Sequence, residues 1–245
     1  MLRIITSLSL VLMFLKIPCY SQNINVQNNS AISRFQYKGY KTLQEFIRRN
    51  AEFLDEAAMN TGVLLAGIIL DYDGEISDVF TCNSLEKTVD TSILALLKKT
   101  EGHWKQLEDT TIKNTFDTLI VPIIFRFMGT EYKIDRANSK LAVEKEVEIT
   151  KLIYGQPVGV TNYESTKSLL KLCNSALAKE NFDEAEDILK DLVKREPLNS
   201  EYYSKLIMVN VRLGHKFSAC NNLKYLQNYL VVQPESSFLQ GLDCQ

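Results

Sequence analysis

Three carboxylates, Asp71, Asp73 and Asp78, lie close together between two apolar runs, and carboxylates at such spacing are ligands that Ca²⁺ prefers. In the register of a calcium-binding loop, however, the first and last ligand positions fall on Ile69 and Phe80, whose side chains cannot bind a metal. The Asp-Gly pair inside the stretch favours a tight reversal between two strands. We therefore interpret residues 62 to 79 as a β-hairpin whose carboxylates form the turn or face solvent.

A cysteine and a histidine could form a nucleophile pair, since an imidazole base can activate a thiol. Cys82 and His103 are the candidates, but no local motif accompanies them, and neither His103 nor His215 has a Cys, Asp or Glu partner at metal-binding spacing. We therefore expect a non-catalytic protein that uses no cofactor and no metal. An exported hydrolase that uses Cys82 is kept as a minor hypothesis, which predicts a reactive thiol.

Hydrophobic patterning predicts the elements around the hairpin. Residues 63 to 70 are apolar on both parities, as in a strand that is covered on both faces, whereas the second strand has no clear register. The run from Leu119 to Phe127 predicts a third strand, and Pro122 removes a backbone donor from it, which favours an edge position. Two helices are predicted, one behind the capping box Thr42 to Glu45 and one over Val89, Ile93, Leu96 and Leu97 with Thr88 or Asp90 as its cap.

The last third of the chain carries an internal repeat. Five pairs of residues of matching character are separated by 34 residues: Leu169 and Tyr203, Leu172 and Leu206, Ala185 and Ala219, Leu189 and Leu223, Leu192 and Leu226. This is the period of tetratricopeptide repeats, in which pairs of antiparallel helices interlock. The spacing predicts an all-α domain over residues 161–245. Because two copies are fewer than such arrays usually need, we expect the first domain or the C-terminal tail to cap it.

Three sequence features indicate where the protein acts: its N-terminus, its net charge and its cysteines. Residues 1–21 have the basic start, short apolar run and small-x-small site of a secretory signal, and the polar residues 22–34 predict a disordered lead. We expect a periplasmic or secreted protein whose mature chain has no integral membrane span. A net charge of −2 gives no reason to expect nucleic acid. Unpaired thiols and a single disulfide are both open, with Cys220 to Cys244 as the favoured pair.

The order of elements in the first half, helix, hairpin, helix and strand, resembles the C-terminal domain of the energy-transducing TonB family. The match covers about residues 38 to 128, and it is carried by Glu56-Ala57-Ala58, Gly62, Asp71-x-Asp73-Gly74-Glu75-Ile76-Ser77-Asp78-Val79, Asp90, Trp104 and Pro122-Ile123-x-Phe125. The chain departs from the family in having only 5 prolines in all, hence no long Pro-rich spacer, and in following Trp104 with Lys105-Gln106 rather than Lys-Pro.

The resemblance implies an antiparallel three-stranded sheet with two helices over residues 35–135, joined to the helical domain by a connecting region, 136–160, with a helix considered over 140 to 152. In the family, the domain sits in the periplasm and contacts outer-membrane receptors, whose extended peptide adds beside the last strand of the sheet. The implied partner-binding residues in this chain are Leu119, Val121, Ile123, Phe125 and Phe127.

Two aromatic sets have both a structural and a binding interpretation. Trp104 either packs over the sheet or offers an aromatic anchor to a partner. Tyr202 and Tyr203 either fill the seam between the repeat helices or line a groove for peptides.

The sequence thus predicts an α+β domain followed by an all-α helical domain, acting as an exported binding protein. Its partner would be a protein or an extended peptide of the envelope transport machinery, such as an outer-membrane receptor, captured by strand addition. The alternative is a tetratricopeptide-type scaffold or co-chaperone in which the α+β domain is only structural. Pairing of two chains into a homodimer is left open.

Overall fold

The computed structural model describes residues 31–51, 61–106, 116–127, 132–140, 143–151, 165–231, 242 and 244. Within these ranges the chain is a mixed α+β fold with a four-stranded sheet and six α-helices. The strands are β1 (Gly62–Leu70), β2 (Ile76–Thr81), β3 (Asp117–Phe127) and β4 (Val147–Lys151), and the helices are α1 (Leu43–Asn50), α2 (Lys87–Lys98), α3 (Thr166–Ala178), α4 (Phe182–Arg195), α5 (Ser200–Arg212) and α6 (Lys216–Tyr229). Short 3-10 turns lie at Ala31–Arg34 and Arg136–Asn138.

The sheet has the strand order β2-β1-β3-β4, with β1 antiparallel to both β2 and β3 and with β4 parallel to β3. The predicted hairpin is confirmed, but the prediction of three antiparallel strands is wrong. Residues 147–151, which were expected to connect two domains and were considered for a helix, form the fourth strand instead. Val147 and Ile149 alternate with polar residues and bury themselves in the core, which is the period of a strand.

The edge position expected for β3 is wrong, because β3 lies between β1 and β4. The amide of Glu144 donates to the carbonyl of Ile120 at 2.8 Å, so the backbone groups of Ile120 and of alternate residues after it face the β4 side. The N–H that Pro122 lacks would therefore have pointed toward β4, so the pairing of β3 with β1 is unaffected. The pairing also slips there, from Ile120 with Val143 to Ile123 with Val147, so that the missing donor coincides with a break in the ladder.

A bulge explains why the second hairpin strand has no simple pattern. The pairing of β1 with β2 shifts between Ile69, which faces Asp78, and Leu70, which faces Ile76. Because one extra residue is inserted, Ile76 and Val79 both reach the core beneath α1 and α2 although they are three residues apart. Phe80 lies on the other face of the sheet.

The first face of the sheet packs against α1 and α2, and we call this cluster the lower core. It joins alternate residues of β1 and β3 to the apolar faces of the two helices, with Leu64, Ala66, Ile68, Leu70, Leu119, Val121, Ile123 and Phe125 meeting Leu43, Ile47, Val89, Ile93 and Leu97. Thr42 caps α1 as predicted, accepting from the amide of Glu45 at 3.1 Å. The cap of α2 is Glu86, not Thr88 or Asp90, because its carboxylate reaches the first free amides of the helix.

The second face of the sheet packs against the C-terminal helices, and we call this cluster the upper core. It joins Val63, Leu65, Ile120 and Ile124 of the sheet to Leu198, Tyr203, Ile207, Leu223, Tyr225, Leu226 and Leu230. The strand β1 is thus covered on both faces, as its double apolar parity predicts. The residues on the two sides of the predicted connecting region, 136–160, pack together. The strand β4 from this region completes the sheet, and the helices after it share the upper core with the sheet.

The helices α3 to α6 follow the repeat in the sequence. The bounds of α5 and α6 lie 34 residues after those of α3 and α4, as 200 − 166 and 216 − 182 both show. Four of the five paired positions are buried in both copies, whereas Leu172 remains 40% exposed beside its buried counterpart Leu206. Leu206 packs against α3 and α4. The described residues contain no earlier pair of repeat helices that would cover Leu172 in the same way.

The disulfide favoured from the sequence forms, because Cys220 and Cys244 are bonded with their Cα atoms 5.4 Å apart. Cys82 and Cys173 are free thiols. None of the helices in the described ranges combines the length and apolar character that a membrane crossing requires. The proposed signal, residues 1–21, lies outside the described residues.

The expected disordered lead is wrong for its last four residues. Residues 22–30 lie outside the described part of the chain, but Ala31–Arg34 form a 3-10 turn and the Arg34 side chain is buried. Its guanidinium donates to Asp117 at 2.7 Å, to the Lys105 carbonyl at 2.7 Å and to the Asp71 carbonyl at 3.0 Å. One buried cation therefore ties the N-terminal segment to the hairpin turn and to the start of β3.

Candidate functional site

The predicted partner-binding strand is an interior strand of the sheet. Leu119, Val121, Ile123 and Phe125 are buried in the lower core, and Phe127 at the strand end pairs with Lys151 of β4. Because β1 and β4 take both sides of this strand, its backbone cannot receive an incoming peptide without displacing β4. The interpretation of these five residues as a partner-binding edge is therefore corrected. Strand addition, if it occurs, has to use an outer edge of the sheet.

One outward amide of β2 is satisfied by a side chain of the same strand. The Asp78 carboxylate accepts a hydrogen bond at 2.8 Å from the amide of Val79, which is the next residue. Val79 faces Ile68 in the register, and its amide points to the outside of the sheet. A donor that a new strand would need is thus already satisfied, which is one of the ways in which proteins protect sheet edges.

The outer edge of β4 has no strand paired to it among the described residues. The backbone groups of Ile120 and of every second residue after it, including Ile124, point toward β4. Because Ile124 lies opposite Glu148, it bonds the backbone groups of the two neighbours of Glu148, Val147 and Ile149, which therefore point toward β3. Those of Glu148 and Thr150 point outward. The Glu148 carboxylate bonds Arg126 at 2.6 Å, so it does not cap its own edge as Asp78 does.

The end of β1 shows how a side chain can substitute for a strand. Asn83 accepts from the amide of Leu65 at 2.8 Å and donates to the carbonyl of Val63 at 2.7 Å. These are the backbone groups that β2 would bond if it were longer. The hydrogen bonds of these two β1 backbone groups are therefore supplied by Asn83, a residue that the sequence pattern did not single out.

Trp104 is a core residue and not an exposed anchor. It is 7% exposed, its indole N–H donates to the Thr100 hydroxyl at 3.1 Å, and its ring meets Phe35 edge-on at 5.2 Å between centroids. Its backbone also pairs with Phe35, which anchors the segment before α1. The structural interpretation of Trp104 is confirmed, and the anchor interpretation is wrong because a partner cannot reach the ring.

The two tyrosines proposed for a peptide groove are also buried. Tyr203 stacks on Tyr225 at 4.3 Å in the upper core, and Tyr202 packs between the helices of the two repeats. Burial raises the pKa of Tyr202 to about 12. Both residues fill the seams of the array, so the groove interpretation is wrong for them.

The proposed nucleophile pair is not assembled. Cys82 packs against the upper core, whereas His103 lies on the ring of Tyr37, which packs against the lower core on the opposite face of the sheet. Burial raises the pKa of the Cys82 thiol to about 12, with a smaller opposing contribution from a hydrogen bond with Tyr229. A thiol in this environment stays protonated near neutral pH and is a poor nucleophile.

The carboxylates of the hairpin serve the turn. Asp71 accepts from the amide of Glu75 at 2.8 Å, and Asp73 accepts from the side chain of Gln106 at 3.0 Å. Asp78 caps the β2 edge, as described above. Within the described ranges, no three His, Cys, Asp or Glu side chains gather as metal ligands would.

Comparisons with protein-family models, with curated proteins and with solved structures find no match to this chain. The geometry of the chain is therefore the source of any functional argument. Its most distinctive feature is the difference between β2, where Asp78 satisfies the outward amide of Val79, and β4, whose outer edge has no paired strand within the described part of the chain.

Proposed function

We propose that this chain is an exported, non-catalytic binding protein that captures an extended peptide or protein segment at the outer edge of β4. The observation that carries the proposal is the pair of outward backbone groups at Glu148 and Thr150, on an edge to which no described strand is paired. An incoming strand would continue the ladder β2-β1-β3-β4, gaining backbone hydrogen bonds while side-chain pockets set its specificity.

The resemblances noted in the sequence support this role and a location in the cell envelope. A sheet like that of the TonB C-terminal domain, followed by tetratricopeptide-like helices, would form an adaptor whose partner is an envelope transport component such as an outer-membrane receptor. The Cys220–Cys244 disulfide supports an oxidising compartment, such as the periplasm or the exterior, because such bonds are rare in reducing cytosol. In this proposal β4 takes the place of the strand that the family uses.

Exchange of Glu148 tests the edge directly. In Glu148→Pro the outward amide is lost, and in Glu148→Ala it is kept, while both variants remove the ion pair with Arg126. The amides of the isotope-labelled protein would be followed by NMR while extended peptides from outer-membrane receptors are added. We expect the resonances of 148 and 150 to shift in the Ala variant and the affinity of the Pro variant to fall about tenfold.

Folding of the two variants is compared first by circular dichroism and thermal unfolding, which should be alike. Equal affinity of the Pro and Ala variants would refute addition at β4. So would peptide-induced shifts that are confined to residues outside 143–151.

The scaffold alternative rests on the repeated helix bounds of α3 to α6. It predicts that peptide-induced shifts fall on exposed residues of these helices. The same titration therefore distinguishes the two functions.

A further inference from the structure

A second surface, made of residues outside β4, joins the turn before α1 to the segment after α2. We call it the Tyr37 surface and define it as the exposed parts of residues 37–49 and 98–105. The amide of Gln36 bonds the carbonyl of His103 at 2.6 Å, and the rings of Tyr37 and His103 lie 3.9 Å apart. The two segments therefore form one continuous surface.

The centre of this surface is a rigid turn. The amide of Tyr40 donates to the carbonyl of Tyr37 at 3.0 Å, and Gly39 takes a φ of +92°, which suits glycine at the third position of such a turn. Tyr37 stacks on the buried Phe46 at 4.9 Å. The half-buried tyrosines are thus fixed to the lower core before any partner arrives.

The aromatic rings at this surface are already in contact with other side chains. Tyr37 lies between Phe46 and His103, and the guanidinium of Arg49 lies over the ring of Tyr40 at 5.8 Å. Sugars and nucleobases need an open aromatic face to stack on, and these contacts occupy much of what Tyr37 and Tyr40 offer. The surface instead presents cations together with hydroxyl and imidazole groups.

The charge of the surface is positive in a chain whose net charge is −2. Residues 37–49 and 98–105 include seven Lys and Arg side chains, all exposed, against the two acids Glu45 and Glu101, which gives 7 − 2 = +5. Glu45 is already engaged by the Arg49 guanidinium at 2.5 Å and by the amide of Lys41 at 2.9 Å. Among the described residues, the other six cations of this surface form no ion pair, which leaves them to meet an external anion.

We propose that the Tyr37 surface binds an acidic protein segment rich in Asp and Glu. Carboxylates match its cations and hydrogen-bond donors, and complementary charge of this kind speeds association and selects partners. Tyrosine and arginine held rigidly at a surface are also the side chains that contribute most to protein interfaces. The inference stands apart from strand addition, because none of its residues belongs to β4.

Charge reversal with a matched control tests the proposal on the full mature chain. The variant Lys38→Glu, Lys41→Glu and Arg48→Glu alters this surface, and Lys171→Glu, Lys179→Glu and Lys216→Glu make the same change in net charge on exposed positions of the helical array. Fluorescently labelled poly-L-glutamate serves as the probe, and binding is read by anisotropy at low and physiological salt. We expect the first variant to bind about tenfold more weakly than the control variant, with affinity that falls as salt rises.

Three results would overturn the inference: absence of polyglutamate binding, equal weakening in the two charge-reversal variants, or tighter binding of heparin than of polyglutamate. The last would indicate an anionic polysaccharide as the partner. The Glu148→Pro variant should bind polyglutamate as the unmodified protein does. Failure of strand addition and failure of this inference are thereby distinguished.

Discussion

At the scale of single residues, buried polar side chains such as Arg34 and Asn210 are held by several hydrogen bonds. Arg34 is the clearest example, since its buried guanidinium meets a carboxylate and three backbone carbonyls that come from three separate segments. A buried cation of this kind is costly to remove from water, and its hydrogen bonds offset that cost only while every partner is present.

Replacing Arg34 by methionine should destabilise the protein by about 3–5 kcal/mol, because Asp117 then loses its partner and three segments lose their common donor. Chemical unfolding in urea would measure the change. The exposed Arg48, replaced in the same way, serves as the control, with an expected change of about 0.5 kcal/mol or less. An equal cost at both positions would contradict the role given to Arg34.

The Cys82 thiol should resist alkylation in the folded protein and react only after unfolding, because burial raises its pKa to about 12. Its raised pKa also makes stability fall between about pH 9 and 12, since the unfolded chain releases the thiol proton first. Mass spectrometry of iodoacetamide adducts with and without denaturant is the measurement. Rapid native labelling of Cys82 would revive the hydrolase hypothesis.

At the scale of elements, turns and helix seams are set by close contacts between segments distant in sequence. Gly74 in the hairpin turn has a φ of +90°, and a Cβ added there would lie 2.5 Å from the backbone oxygen of Trp104. The turn therefore needs glycine for its own conformation and also for the approach of the segment after α2.

Gly74→Ala should cost about 2 kcal/mol or more, because it combines a strained backbone with a clash against main-chain atoms. Gly39→Ala, at a similar φ of +92° but with no neighbour within 4 Å, isolates the conformational part. Thermal unfolding of both variants would show a larger loss for Gly74. Equal losses would mean that the contact with Trp104 contributes nothing.

The helical array has a buried polar seam. Glu186 of α4 accepts from Asn210 of α5 at 2.7 Å and contacts His215 at 3.1 Å and Lys190 at 2.8 Å. Burial alone would raise the pKa of Glu186, but the hydrogen bonds and charges of Lys190 and His215 outweigh it and lower the pKa. The charged carboxylate therefore joins three helices.

Because its pKa is lower in the folded state, Glu186 stabilises the protein above its unfolded pKa and loses this effect as the pH falls through the folded value. Glu186→Gln should therefore cost about 1–3 kcal/mol at pH 7 and much less at pH 3. Urea unfolding at the two pH values checks this. A cost that is independent of pH would assign the loss to packing instead.

At the scale of the whole molecule, the sheet contributes one face to each of two hydrophobic cores. Its lower face carries α1 and α2, and its upper face carries α5 and α6, so neither half buries all of its apolar surface alone. The helices α5 and α6 therefore share the upper core with the sheet. A partner at the β4 edge would meet a sheet stiffened from both sides.

A chain ending at residue 151 should aggregate or remain molten, because it exposes Val63, Leu65, Ile120 and Ile124. Four such side chains are worth about 6–12 kcal/mol of burial, comparable with the entire net stability of a typical domain. Solubility, near-ultraviolet circular dichroism and the cooperativity of unfolding are the measurements. A soluble chain with a sharp transition would show that the α+β part is independent after all.

The sequence by itself determined the local elements. The hairpin turn, the capping box at Thr42, the apolar face of α2 and the 34-residue offset of the helices all depend on neighbouring or regularly spaced residues, whose signals are short-range. It also pointed to the disulfide pair and to a core role for Trp104, and the double apolar parity of β1 required two covered faces.

Only the tertiary structure decided which segment covers which. Residues 147–151, in which apolar and polar side chains alternate only weakly, form β4. They pair with the backbone groups of β3 that point away from β1. The buried positions of Arg34, Asn83 and the two tyrosines likewise depend on segments far apart in the chain. Strand pairing is set by long-range contacts that local patterns do not encode, and for that reason the candidate edge moved from β3 to β4.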